Sequence, residues 1–143
     1  MNLSRNFTVD ELTHSQTAAR LGLDNTPSLA VLDALKRTAY GLEDVRALLN
    51  APILISSGYR SARVNRAVGG SYKSQHTVGA AADFTAPGFG TPDAVMRAIV
   101  DAGTIHYDQI AIEFGRWIHI SFVQKGARRQ ALVIDHSGTR AFT

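Results

Sequence analysis

A small α+β domain, with a mainly antiparallel sheet and helices packed to one side, is the fold class this sequence predicts, and three features predict it. The last third of the chain alternates apolar and polar residues with the two-residue period of half-buried strands, in "DQIAIEF" and "RWIHISFV", and "QALVID" is a further strand candidate. Residues 28–50 instead place Leu29, Leu32, Leu35, Leu42, Val45 and Leu49 at helical spacing. A chain of 143 residues with 45% apolar content and no internal repeat suits a single domain, residues 1–143, large enough to bury a core.

Taken in order, Thr8 followed by Glu11 forms a capping-box pattern that opens a helix running to about Arg20 and ending near Gly22. "DNTPS" then breaks the chain before the long helix of 28–50. After Pro52 the run "ILIS" reads as a short buried strand that delivers the loop "SGYRS", and loops at strand ends often carry function. "ARVNRAV" has the length of two helical turns before the Gly69-Gly70 break, and "AAADF" reads as a second short strand leading into the "APGFG" loop. Thr91, Pro92 and Asp93 supply a cap, a first-turn proline and an early acid for a helix that Gly103 closes.

The alternation in the last third has a consequence for side-chain placement. Ile110, Ile112 and Phe114 share one face of their strand and leave Glu113 on the other; Ile118, Ile120 and Phe122 share one face of theirs and leave Trp117, His119 and Ser121 opposite. With Gly115-Arg116 in the turn of an antiparallel hairpin, Glu113 and His119 fall on the same sheet face, either directly across from each other at a Cβ separation of about 5 Å or on the diagonal at about 7 Å.

Composition narrows the chemistry. The absence of cysteine excludes disulfide frameworks, thiolate zinc sites and cysteine nucleophiles, so any metal is held by nitrogen and oxygen. A net charge of +3 and a pI near 9.6 suit an anionic partner, nucleic acid or a bacterial envelope, without choosing between them. "MNLSRNFTVDEL" has no apolar run of the secretory type, and no stretch is long and apolar enough for a membrane span, so the expectation is a soluble chain made in the cytoplasm.

His76, Asp83 and His119 supply two imidazoles and one carboxylate, the usual count of protein ligands for a catalytic zinc that keeps its fourth position open. Glu113 is placed to be the carboxylate beside it. By spacing alone a plainer reading stands next to this one: Asp83 as a turn residue before "APGFG", and Glu113 and His119 as ordinary polar residues on a solvent-facing strand surface. His14, His106 and His136 read as surface or hydrogen-bonded residues, with His106 beside Asp108 a candidate for an outer layer of the site.

"SQHTVGAAADF" resembles the Ser-x-His-x-x-Gly-x-Ala-x-Asp signature of the zinc D-alanyl-D-alanine metallopeptidases, a group of carboxypeptidases, dipeptidases and phage endolysins. Ser74, His76, Gly79, Ala81 and Asp83 all fall in register. "SGYRSARVNRAVGGS" is similar to the stretch that precedes the signature in phage and bacterial members, "EFGRWIHISF" to their closing strand, and "FTVDEL" to their opening helix, so the likeness runs from about Phe7 to about Val123. It implies a Hedgehog/DD-peptidase-like fold and one zinc ion on His76, Asp83 and His119. It also implies Glu113 as catalytic base, Arg60 as the cation facing the substrate, and Ser74 as a further substrate contact. Gly79 and the alanines would let the backbone pass close to the metal, and packing alone could also demand small residues there. The sequence departs from many relatives in one place, since the acid they carry three residues before the last ligand is Arg116 here. The Hedgehog signalling domain carries its glutamate at the longer spacing of Glu113, and strand parity agrees.

The resemblance implies a peptidase acting on peptidoglycan stem peptides, as a D-alanyl-D-alanine carboxypeptidase or an endolysin endopeptidase. The signature's phage-like surroundings imply a phage or prophage lysin that reaches the wall after release, working as a monomer. Its alternative is a zinc-binding module without catalysis, acting through a partner. A nucleic-acid surface built from Arg60, Arg63, Arg66 and Lys73 lacks interleaved aromatics or any nucleic-acid motif, so no specific nucleic-acid partner is expected. A non-haem iron oxygenase shares the ligand types but spaces its first histidine and acid much more closely.

Overall fold

The structure, a computed structural model, describes residues 1–143. Thr8 opens the first helix with both halves of the capping box: its Oγ1 accepts from the Glu11 amide at 3.1 Å, and Glu11 Oε1 accepts from the Thr8 amide at 3.1 Å. The single helix expected from Thr8 to Arg20 is corrected to two, α1 (Val9–Thr13) and α2 (Gln16–Leu21). His14 is extended between them, and Ser15 starts the second helix by accepting from the Ala18 amide at 3.0 Å. The long helix α3 (Leu29–Leu49) begins and ends as its periodicity indicates, with Ser28 capping one end and Asn50 in the left-handed region at the other. Of the six apolar positions that set its periodicity, only Leu29, at the first position, is exposed.

Six strands form one sheet in the order β1-β2-β4-β3-β5-β6. They are β1 (Leu54–Ser57), β2 (Ala81–Thr85), β3 (Gln109–Glu113), β4 (Trp117–Ser121), β5 (Gln130–Asp135) and β6 (Gly138–Ala141), and every neighbouring pair is antiparallel except β3 and β5. The remaining helices are α4 (Ala62–Ala67) and α5 (Pro92–Ala102), with a 3-10 turn at Gln75–Val78. Leu35, Ala39, Leu42 and Val45 of α3 and Val95, Met96 and Ile99 of α5 close over Ala82, Phe84, Ile110, Ile112, Ile118 and Ile120 in a single apolar cluster. Removal of that surface from water is the main stabilising term of the fold.

β1 is an edge strand, where "ILIS" reads as buried. Leu54 is 52% exposed, while Ile53 and half-buried Ile55 keep contact with the core. A bulge lies between Ile55 and Ser57, after which Ser57 stands opposite Asp83. At the other edge, β6 has no counterpart in the sequence reading, because "GTRA" carries no apolar alternation and all four residues are exposed.

Packing demands a glycine at Gly79. Its φ is +79°, and a Cβ there would stand 2.9 Å from the Val31 carbonyl oxygen and 3.1 Å from Val31 Cγ1. Thr38 Oγ1, buried in α3, donates to the Gly79 carbonyl at 2.7 Å, so the chain is clasped to the helix immediately before it enters β2.

Candidate metal centre

The polar face of the sheet assembles the candidate residues by register. Asp83 of β2 pairs with His119 of β4, and His119 pairs on its other side with Ala111 of β3. Glu113 pairs with Trp117, so Glu113 and His119 share a face on the diagonal. The turn between β3 and β4 places both Phe114 (φ 56°) and Gly115 (φ 66°) in the left-handed region, and the Arg116 amide donates to the Glu113 carbonyl at 3.0 Å.

His76 arrives from the 3-10 turn. Ser74 caps that turn, its Oγ accepting from the His76 amide at 3.3 Å, and the Thr77 hydroxyl donates to the Ser74 carbonyl at 2.6 Å. The ring is oriented from outside by the "SGYRS" loop: His76 Nδ1 lies 2.7 Å from the Gly58 carbonyl oxygen. Gly58 has no room for a side chain, since a Cβ would collide with the backbone carbonyl of Leu12 at the end of α1. The Tyr59 amide donates to that same carbonyl at 2.7 Å. Asn25 ties the loop further, accepting from the Ser61 amide at 2.7 Å and donating to the Tyr59 carbonyl at 3.0 Å.

His76 Nε2 and His119 Nδ1 converge on Asp83 Oδ1 at 3.2 and 3.0 Å, and the three groups offer ligand atoms within 4.8 Å of one another. Both histidine rings and the carboxylate are largely withdrawn from water. Burial by itself would raise the Asp83 carboxyl, but the hydrogen bonds from His119 and then His76 outweigh it and hold the group well below the usual carboxylate range. With His76 Nδ1 facing the Gly58 carbonyl, Nε2 is the ring nitrogen turned toward Asp83 and the cleft. Two nitrogens and one oxygen at these distances fit a divalent ion of the zinc type.

Arg60, Ser74 and Glu113 line the same cleft, of about 680 Å³, as the three converging groups. Arg60 Nη2 donates to Ser74 Oγ at 3.3 Å, and its buried Nε has no protein partner. Burial pulls the guanidinium down from its usual value, and the charges of Asp83 and Glu113 oppose that shift. Glu113 Oε1 accepts from the Trp117 indole N–H at 2.8 Å. Arg63 and Arg66 do not line this cleft, whereas Lys73 and Arg128 do. His14 and His106 are exposed, and His136 stacks on Phe114 outside the cleft.

Sequence reasoning missed a buried anchor. Asp108, 3% exposed, accepts from Arg128 Nη2 at 2.7 Å, from the Arg128 amide at 3.0 Å and from Gln75 Nε2 at 2.9 Å, which fastens the residue before His76 to the start of β3. Its neighbour His106 lies exposed, so the outer-layer role falls on Asp108. Arg128's side-chain hydrogen bonds hold the Asp108 carboxyl down at about 2. A carboxyl lowered in the folded state contributes stability above its unfolded value, and that contribution is lost as pH falls from about 4 to about 2. With Arg128 half-exposed and its attraction partly screened, the gap in unfolding free energy between wild type and Asp108→Asn is expected to be about 1 to 2 kcal/mol near neutral pH. Urea unfolding across that acid range should show the gap closing; a constant gap would contradict the assignment.

An α+β domain whose sheet brings two imidazoles and a carboxylate together, beside a second carboxylate and an arginine, has a donor set that could hold a metal ion. The Peptidase M15 family model matches residues 5–121, and the chain belongs to that family of zinc-dependent metallopeptidases. A comparison with curated proteins gives no match.

Proposed function

We propose that the protein is a zinc peptidase that hydrolyses peptide bonds in peptidoglycan stem peptides, as a D-alanyl-D-alanine carboxypeptidase or an endopeptidase of the phage or prophage lysin type. The observation that supports this most is the meeting of His76, Asp83 and His119 in one cleft with Glu113 and Arg60. In this reading His76, Asp83 and His119 hold one zinc ion. Bound there, the ion would supply Lewis-acid chemistry, lowering the pKa of a water and polarising a carbonyl. Glu113, a carboxylate on the cleft wall, would act as the general base toward the attacking water and return the proton to the departing amine. Arg60, with an unpartnered Nε and only one hydrogen bond from its guanidinium to Ser74, turns its charge on the substrate's carboxylate or on the oxyanion that develops at the carbonyl. Ser74 acts through that bond to Arg60 and on the substrate backbone.

Lys73 and Arg128 add positive charge to the cleft walls, which suits stem peptides rich in carboxylates, and the net charge of +3 favours approach to an anionic envelope. The chain acts as a monomer on the wall after release from the cytoplasm. The test is incubation of zinc-loaded protein with purified peptidoglycan. New amino groups or free D-alanine should appear, and a chelator should abolish them. Release of neither would refute the reading.

A further inference from the structure

We propose that Trp117 is a positioning residue for Glu113, holding one carboxylate oxygen so that the other is presented to the cleft. The proposal rests on the reading of Glu113 as the base. Trp117 stands directly across from Glu113 in the β3–β4 register, and its indole N–H donates to Oε1 at 2.8 Å, the one protein hydrogen bond to that carboxylate. An indole nitrogen has a proton to give and no lone pair to offer, so this contact serves the acceptor form of Glu113 and leaves Oε2 free.

The turn that joins the two residues shows the same purpose. Phe114 sits at φ 56°, a left-handed conformation that bulky residues rarely adopt, and two left-handed residues in such a turn are ordinarily Asn-Gly. The side chain explains the choice. Phe114 packs 5.7 Å from the Trp117 ring on one side and 5.0 Å from the His136 ring on the other, centroid to centroid. Its amide donates to the Ile134 carbonyl of β5 at 2.8 Å, so the strained turn is fastened to the neighbouring strand. The β5–β6 turn thereby braces Phe114, Phe114 braces the indole, and the indole holds Glu113. Trp117 is the only tryptophan of the chain, which makes it a spectroscopic reporter of its own contact.

The experiment compares full-length wild type with Trp117→Phe, Glu113→Gln and Glu113→Ala, all zinc-loaded. Trp117→Phe keeps a ring and loses the N–H; its kcat on stem peptide should fall about 10- to 100-fold with KM and zinc content unchanged. Indole emission and its quenching by acrylamide should match wild type in Glu113→Gln, which keeps an acceptor, and should become redder and more readily quenched in Glu113→Ala. Wild-type kcat in Trp117→Phe, or a raised KM with kcat preserved, overturns the proposal, as does an indole signal indifferent to Glu113→Ala. If Glu113→Gln keeps full activity, the reading of Glu113 as base fails instead, and the emission comparison still decides whether the indole holds its carboxylate.

Discussion

Glu113→Gln should lower kcat by about 10²- to 10⁴-fold while leaving the fold and the metal content unchanged, the loss typical when a general base is removed. Glutamine keeps the length of the side chain and an oxygen for the Trp117 N–H, which wild-type Glu113 receives at 2.8 Å, so the variant isolates proton transfer from packing. The half-buried Glu113 stands diagonal to His119 and outside the group that converges on Asp83. Its replacement therefore should not change metal affinity. Steady-state kinetics on a stem peptide, with metal analysis of the same sample, checks both halves. Equal kcat in variant and wild type would remove Glu113 from the chemistry.

The second large effect is expected from His119→Ala. It deletes one of two nitrogens that meet Asp83 Oδ1, leaving His76 Nε2 at 3.2 Å as the carboxylate's remaining nitrogen partner. Zinc affinity should fall by more than the roughly 10- to 100-fold seen when an outer-shell partner is lost, with activity falling in parallel. The apolar cluster that builds the fold lies on the opposite face of the sheet from these three groups. Circular dichroism should therefore report native secondary structure in His119→Ala, and competition with a chromogenic chelator should report the weakened site. Unchanged affinity would show that His119 is not a ligand.

Much of this site was legible because strand parity is a local property. Two-residue alternation put Glu113 and His119 on one face, and the structure agrees. Their diagonal offset was not legible, because it depends on which residues occupy the turn: Phe114 and Gly115 take the left-handed positions, not Gly115 and Arg116. The pairing of Asp83 with His119 joins strands 36 residues apart, and nothing in either segment encodes that partner. The Gly58 carbonyl holds His76, and the Asn25 side chain ties the same loop through the Tyr59 carbonyl and the Ser61 amide, long-range contacts to backbone groups that leave no local pattern to read. The split between α1 and α2 did have a signal, since Ser15 is a good cap, but the Thr8 capping box and the Gly22 end bracket both helices and mask the break between them.

Membership of the Peptidase M15 family makes the chain a metallopeptidase, and the open question is the bond that is cut. Mass spectrometry of muropeptides after digestion of purified peptidoglycan addresses it most directly. Zinc-loaded protein should produce fragments shortened at a stem-peptide amide bond, with neither the zinc-free protein nor Glu113→Gln doing so. Muropeptides identical before and after digestion with the zinc-loaded protein, or identical cleavage by Glu113→Gln, would contradict it.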